Sequence, residues 1–320
     1  MSELIEAPAA PAALAATAAE AEAYHAQARA AATLKAYRTD WRAFEAWCTA
    51  HQLPSLPAAP ETVALYITEL ARDRKVATIS RRLASIAQAH KQQGHDSPTR
   101  AAVVQNVLKG IRRAKGTAPT QKAAAEIAII RAMVEQLDDS LQGLRDRAIL
   151  LVGFAGAFRR SELASLTLAD VQFTNDGLVI TLRKSKTDQE GEGYIKGIPY
   201  GSTPATCPVR ALRSWLDASG ITTGSLFRSV WKGGRRLRPT PLNDRAIAEV
   251  VKRAAAAAGY DPDRFSGHSL RAGLATSAGA AGVDERTIME QTGHKTTTMV
   301  RRYIRRGSLF RNNAAAKVGL

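Results

Sequence analysis

Apolar residues recur every three or four positions through the first third of the chain. Leu34, Tyr37, Trp41, Phe44, Trp47 and Cys48 form one such series, which predicts an amphipathic helix with an aromatic stripe. Pro54, Pro57 and Pro60 then interrupt the chain, and Pro60-Glu61 suits the start of a second helix with Val63, Tyr66, Ile67 and Leu70 on one face. A third helix is expected from about Ala77, with Ile79, Leu83, Ile86 and Ala87 inward. A fourth is expected from Thr99 to Lys115, with Val103, Val107, Leu108 and Ile111 inward. Residues 1–20 are rich in Ala and Pro and predict a disordered arm, followed by an Ala-rich stretch from Ala21 to Ala32 with helical propensity. Residues 21–115 therefore read as a small helical bundle.

Gly, Pro and Thr between Lys115 and Lys122 mark a linker at 116–122, so a second domain is expected over 123–320. It opens with a helix around Ile127, Ile130, Met133, Val134 and Leu137. A strongly apolar helix from Leu144 to Phe158 follows and ends at Arg159-Arg160-Ser161-Glu162-Leu163. Leu178 to Arg183 alternates and is β-branched, which predicts a strand, and Tyr194 to Pro199 is its expected partner across a polar loop. Helices are expected after Cys207-Pro208 and from Ile247 to Ala258, and residues 227–241 read as a basic loop. The fold class is mainly α with a small antiparallel β-sheet in the second domain.

Composition narrows the partner. The chain has 320 residues and a formal charge of +16, which favours a polyanion, with nucleic acid as the first candidate. Twelve Lys or Arg but two acidic residues lie between Arg72 and Lys122, among them Arg81, Arg82, Lys91, Arg112 and Arg113. That imbalance suggests a surface that tracks phosphates, although such runs are more often a solvated face. Cys48 and Cys207 are far apart and match neither a metal spacing nor a disulfide framework. No apolar run approaches the roughly 18 residues of a membrane span, and the N-terminus does not read as a secretory signal. A cytoplasmic protein acting on DNA is the expectation.

The chemistry concentrates between Arg264 and Arg306. His268 and Arg271 are three apart and share a helix face, and Gly267 before them permits close backbone approach. His294 follows Gly293, which suits a helix end, and Thr296 to Thr298 offer a cap for the next helix. Tyr303 lies nine residues past His294 among Arg301, Arg302, Arg305 and Arg306. Nearby positive charge favours a phenolate, so Tyr303 is a candidate nucleophile, and the same cations would hold a phosphodiester. Each piece alone reads more often as helix surface or core. Arg159 and Glu162 likewise admit a structural reading, with Ser161 as a helix cap and Glu162 at the positive end of the dipole.

Taken in order, R-x-x-E-L at Arg159 to Leu163, H-x-x-R at His268 to Arg271, G-H at Gly293-His294 and Tyr303 nine residues on resemble the motif of the tyrosine recombinases, spread over about 145 residues. The N-terminal W-R-A-F-E-A-W-C and L-P-A-A-P-E-T-V-A-L-Y-I stretches and the S-G-H-S-L-R context look similar to Cre-like members. Cre itself has Trp at the position of His294, where phage integrases and Xer-type recombinases have His. The resemblance implies a C-shaped clamp on DNA, formed by a helical core-binding domain and a catalytic domain.

It also implies roles. Tyr303 attacks phosphorus and leaves a 3′-phosphotyrosyl link, Arg159 and Arg271 clamp the non-bridging oxygens, and Glu162 steadies Arg159. His268 is base or orienter for Tyr303, and His294 donates to the phosphate. A lysine of the K-x-K-T hairpin is the general acid, Lys186 with Lys184 as the alternative. Lys184, Arg235, Arg236, Arg301 and Arg302 join the expected DNA contacts. The expected partners are double-stranded DNA and further copies of the chain, a dimer per site and a tetramer at synapsis, with no metal, no other cofactor and no membrane. A type IB topoisomerase-like enzyme and a non-catalytic DNA-binding regulator are the rival readings.

Overall fold

The computed structural model describes residues 14–27, 31–118, 121–183, 193–231, 233, 236–308 and 318. The chain divides into two compact units, Met1–Thr120 and Gln121–Leu320.

In the first unit, helices α1 (Ala15–Gln27), α2 (Ala31–Ala50), α3 (Pro60–Leu70), α4 (Val76–Gln92) and α5 (Ala102–Lys115) follow one another. The expected arm over 1–20 falls on residues outside the described ones up to position 13; from Ala15 the chain is helical, because alanine carries the best helix propensity. Phe44 and Cys48 from α2, Val63, Tyr66 and Ile67 from α3, Ile79, Leu83 and Ile86 from α4, and Val104 and Leu108 from α5 form one core. The aromatic stripe lies in it: Phe44 and Tyr66 ring centroids are 5.0 Å apart, and Trp41 and Phe44 5.6 Å. In the fourth expected helix Leu108 is buried and Val107 and Ile111 pack against the core as expected, and only Val103 differs. A 3-10 turn at Pro98–Arg100 and an extended Ala101 precede the helix, and in its first turn Val104 is buried and Val103 is exposed.

The second unit contains α6 (Ile127–Glu135), α7 (Leu141–Ala155), α8 (Arg160–Ser165), β1 (Val171–Phe173), β2 (Gly177–Leu182), β3 (Tyr194–Pro199), α9 (Pro208–Ser219), β4 (Arg228–Val230), β5 (Leu237–Pro241), α10 (Asp244–Ala257), α11 (His268–Ala281), α12 (Glu285–Thr292) and α13 (Thr297–Gly307). The apolar helix begins three residues earlier than expected, where Ser140 accepts from Gly143 N at 3.1 Å, and it ends at Ala155. The helix expected around Ile127 to Leu137 is α6, with Ile130, Met133 and Val134 buried and Ile127 exposed at its first position. β1, β2 and β3 form an antiparallel sheet in that order, with Ile180 opposite Lys196 and Thr181 opposite Ile195. Within the expected loop of 227–241, β4 pairs antiparallel with β5, and Gly233 falls at a turn between them.

The main core of this unit gathers α6, α7, α9, α10 and the faces of β2 and β3, with Trp215 fully buried and its Nε1 donating to Leu226 O at 2.9 Å. A smaller cluster holds the C-terminal helices: Ala272 and Ala275 of α11, Ile288 of α12, and Val300 and Tyr303 of α13. Cys48 and Cys207 are both free and buried, as expected of small apolar residues. Among the described residues no helix is long and apolar enough to cross a membrane.

Candidate active site

Five elements bring the motif residues together. α7 ends at Ala155, and the chain turns through Gly156 and Ala157 into α8. Ala157 is fully buried with φ +48, a left-handed conformation a non-glycine residue rarely adopts. Its carbonyl oxygen accepts Arg271 Nη1 at 2.8 Å. Arg271 is 1% exposed, and its Nη2 has no hydrogen-bond partner among the described residues. A buried guanidinium with a donor left over is a costly arrangement unless an anion completes it. Burial first, and then the Arg159 charge, bring the Arg271 pKa down to about 10, so the group stays cationic at neutral pH.

Arg159 sits at the N-cap position of α8. Its backbone N donates to Glu162 Oε2 at 2.9 Å and its Nη1 to Glu162 Oε1 at 2.5 Å. Glu162 thus caps the helix and fixes the guanidinium in one gesture, and the expected cap, Ser161, lies inside the first turn instead. Glu162 is buried, while the Arg159 side chain keeps 19% of its surface.

His268 is the first residue of α11, and its Nε2 lies 3.0 Å from Tyr303 Oη. Gly267 permits that helix start, since a Cβ there would stand 2.7 Å from Arg160 Cβ. Loss of solvation around the ring, then Arg271 and Arg159, hold the His268 pKa below its ordinary value. Tyr303 is 6% exposed. The expectation that cations favour its phenolate is corrected here. Burial pushes the phenol pKa up, more than Arg271 and Arg302 bring it down, and Arg301 is spent on Glu285 Oε2 at 2.9 Å. Tyr303 is therefore a neutral phenol facing a neutral imidazole.

His294 follows Gly293, whose φ of +63 ends α12 and turns the chain back. Thr296 takes the N-cap position of α13 without a side-chain cap bond. The His294 ring lies 6.1 Å from that of Tyr303, and its Nδ1 is 2.6 Å from Thr292 Oγ1. Burial, followed by Arg271, Arg159, His268 and Lys196, lowers its pKa to about 4.

Lys196 was not anticipated. It is 2% exposed, and its Nζ donates to Gln291 O, near the end of α12. Nζ also lies 5.5 Å from the Phe158 ring centroid and 5.1 Å from that of Tyr194. Burial, then Arg271, bring its pKa down to about 7. The signal was present in β3: Ile198 is inward, and Lys196 shares its face two residues before, while Ile195 points out at 67% exposure. Gln291 Nε2 in turn donates to Ala155 O at 2.7 Å and Gly197 O at 3.2 Å, tying α12 to α7 and β3. Arg159, Glu162, Lys196, Thr292 and His294 line one cavity of about 610 Å³.

Lys184 and Lys186, like Glu190 and Glu192 of the same loop, lie outside the described residues, as does Arg235. Of the other expected DNA contacts, Lys91, Arg112, Arg113, Arg236 and Arg302 are exposed. Arg81 and Arg82 are not simply surface charges. Arg81 grips the buried Asp40 through Nε at 2.7 Å and Nη2 at 3.0 Å, and Arg82 donates to Tyr66 Oη at 2.5 Å.

The phage integrase family profile matches residues 126–308. An integrase/recombinase xerD homolog of Selenomonas ruminantium is 43% identical over 286 residues, 88% of this chain and 84% of that protein. Recombinase cre of Escherichia phage P1 is 28% identical over 284 residues, 82% of this chain and 81% of that one. Among solved structures, a lambda integrase (75–356) dimer bound to a COC′ core site superposes with a TM-score of 0.61 at 16% identity, covering 91% of this chain and 94% of that one. XerH bound to palindromic difH substrate gives 0.58 at 16% identity, covering 81% and 71%. The chain belongs to the phage integrase family, the tyrosine recombinases. Its activity is site-specific tyrosine recombination.

Proposed function

We propose that Tyr303 cuts one DNA strand by in-line attack on a phosphodiester, giving a 3′-phosphotyrosyl link and a free 5′-hydroxyl, and that the reverse step rejoins the strand to a new partner. The observation that carries this reading is the placement of the Tyr303 hydroxyl on His268 Nε2, in a site where Arg271 keeps a buried donor that no described residue pairs. His268 accepts the phenolic proton as the oxygen attacks. Arg159, braced by Glu162, and Arg271, braced by Ala157 O, neutralise the charge that develops on the non-bridging oxygens. His294 donates to the same phosphoryl group. Lys186 supplies the proton to the departing sugar oxygen. The ester energy is held in the phosphotyrosine, so no nucleotide is consumed.

The partner is double-stranded DNA. The helical first unit, with Lys91, Arg112 and Arg113 exposed, supplies a second phosphate-binding surface, and copies of the chain bind as a dimer on each site and a tetramer on two sites. The reaction takes place in the cytoplasm. A plasmid carrying two copies of the cognate site tests this reading: purified protein is expected to produce recombinant circles, and Tyr303→Phe none. Relaxation of plasmids that lack any such site would point to topoisomerase action instead.

A further inference from the structure

Thr292 is 1% exposed and its hydroxyl has three neighbours: Ile288 O at 2.7 Å, Met289 O at 3.4 Å and His294 Nδ1 at 2.6 Å. A hydroxyl has one proton to give, and a carbonyl oxygen can only accept. Ile288 O, the nearer carbonyl at 2.7 Å, takes that proton; turning it toward the imidazole would set two oxygen lone pairs against each other at that distance. The hydroxyl therefore meets His294 as an acceptor, and His294 Nδ1 must carry a hydrogen. In a neutral ring, Nε2 is then a bare lone pair. Such a nitrogen accepts, yet a phosphodiester oxygen offers nothing to accept from.

We infer that Thr292 fixes His294 in the tautomer with its hydrogen on Nδ1, so that engagement of the scissile phosphate by His294 takes up one proton at Nε2. The proton comes from bulk solvent, one N–H bond forms, and no other bond changes. The imidazolium then donates Nε2–H to a phosphoryl oxygen. In the free protein this charge is opposed by Arg271 and His268 on α11, Arg159 at the start of α8 and Lys196 on β3, while the carboxylates of Glu162 on α8 and Glu285 and Glu290 on α12 line the same cavity and the Tyr303 phenol on α13 is neutral. The anionic phosphate reverses that balance. Thr292 is a positioning residue, since it acts through His294, and Gly293 permits the tight return that sets the ring on the hydroxyl.

The inference rests on the role proposed above for His294, and its test has two separable arms. The first needs no DNA. Long-range 1H–15N spectra of the full chain labelled in histidine, with His294 assigned by the signals lost in His294→Asn, report the tautomer at pH 7. The wild type and Thr292→Ser are expected to show the Nδ1–H form, and Thr292→Val to show Nε2–H. A wild-type Nε2–H form, or an unchanged tautomer in Thr292→Val, overturns the inference even if no cleavage substrate is found. The second arm follows adduct formation on nicked duplex from the DNA flanking the gene. The ratio of wild-type to Thr292→Val rates is expected to fall by about tenfold per pH unit on the alkaline side, where the extra proton becomes scarce. A ratio flat with pH contradicts proton uptake. Absence of any wild-type adduct would instead count against the proposed cleavage, leaving the tautomer result standing.

Discussion

The Tyr303 hydroxyl and His268 Nε2 stand 3.0 Å apart, each the neutral partner the other needs. Burial raises the phenol pKa and lowers that of the imidazole, so at pH 7 the proton sits on oxygen and the acceptor is empty. Under the proposed mechanism, attack then requires transfer to His268 rather than a standing phenolate. His268→Gln is expected to slow covalent adduct formation by about 10²- to 10⁴-fold with DNA binding retained, as measured by quenched-flow sampling on denaturing gels. A His268→Gln rate equal to the wild type would remove His268 from the proton path. Because the His268 pKa is depressed, the acidic loss of activity is expected below the ordinary imidazole range.

Arg271→Lys keeps a charge but cannot both bond Ala157 O and present a second N–H in the same plane. Adduct formation is expected to drop by about 10²- to 10³-fold, the size typical of losing one preorganised donor. Affinity for duplex DNA should change far less, because many phosphates share the binding. Comparing single-turnover rates with filter-binding constants separates the two.

Lys196 links stability to pH in an unusual direction. Its folded pKa of about 7 lies below the ordinary lysine value of 10.5, so between those values the unfolded chain binds the extra proton. Stability contributed through this group is expected to rise as pH climbs from 7 toward 10, at up to about 1.4 kcal/mol per pH unit, and to level off below 7. Urea unfolding of wild type and Lys196→Met across that range gives the difference directly. The variant should lack the rise.

A second titration belongs to the first unit. His90 is fully buried, its Nε2 accepts from Ala58 N at 2.9 Å and its Nδ1 donates to Ile86 O at 2.8 Å. Protonation would break the first bond, and burial depresses the pKa. The folded pKa is the lower one, so stability is complete above about pH 6.5 and declines as pH falls through the folded value. Tryptophan fluorescence during urea unfolding will report it, since Trp41 packs edge-on against His90 at 6.1 Å.

Surface and structural arginines of the first unit should separate cleanly. Arg112→Gln with Arg113→Gln removes two exposed charges, and the slope of log affinity against log salt is expected to become shallower by about 2. Arg82→Gln should instead destabilise the unit, because Arg82 bonds Tyr66 and neighbours the buried Asp40. Salt titrations and thermal unfolding of both variants check the contrast.

Much of this was legible in the sequence. The helical periods of α2 to α4, the β2–β3 pair and the spacing of Arg159, His268, Arg271, His294 and Tyr303 all follow from local pattern and motif order. Three things did not. Whether Arg81 and Arg82 face DNA or Asp40 depends on a contact 41 residues away in the chain for Arg81. Burial and the nearby cations push Tyr303 in opposite directions, and only the packed site sets which prevails. Lys196 was hidden because a lysine in a strand reads as solvent-facing, although its place two residues from Ile198 put it on the inner face.

The most direct test of the account is to identify the covalently linked residue. Wild-type protein trapped on a nicked duplex from its own genetic neighbourhood, digested with protease and sequenced by mass spectrometry, should yield a peptide joined through Tyr303 to a 3′-phosphate, and Tyr303→Phe none. A link through another side chain, a link to a 5′-phosphate, or an adduct that persists in Tyr303→Phe would contradict it.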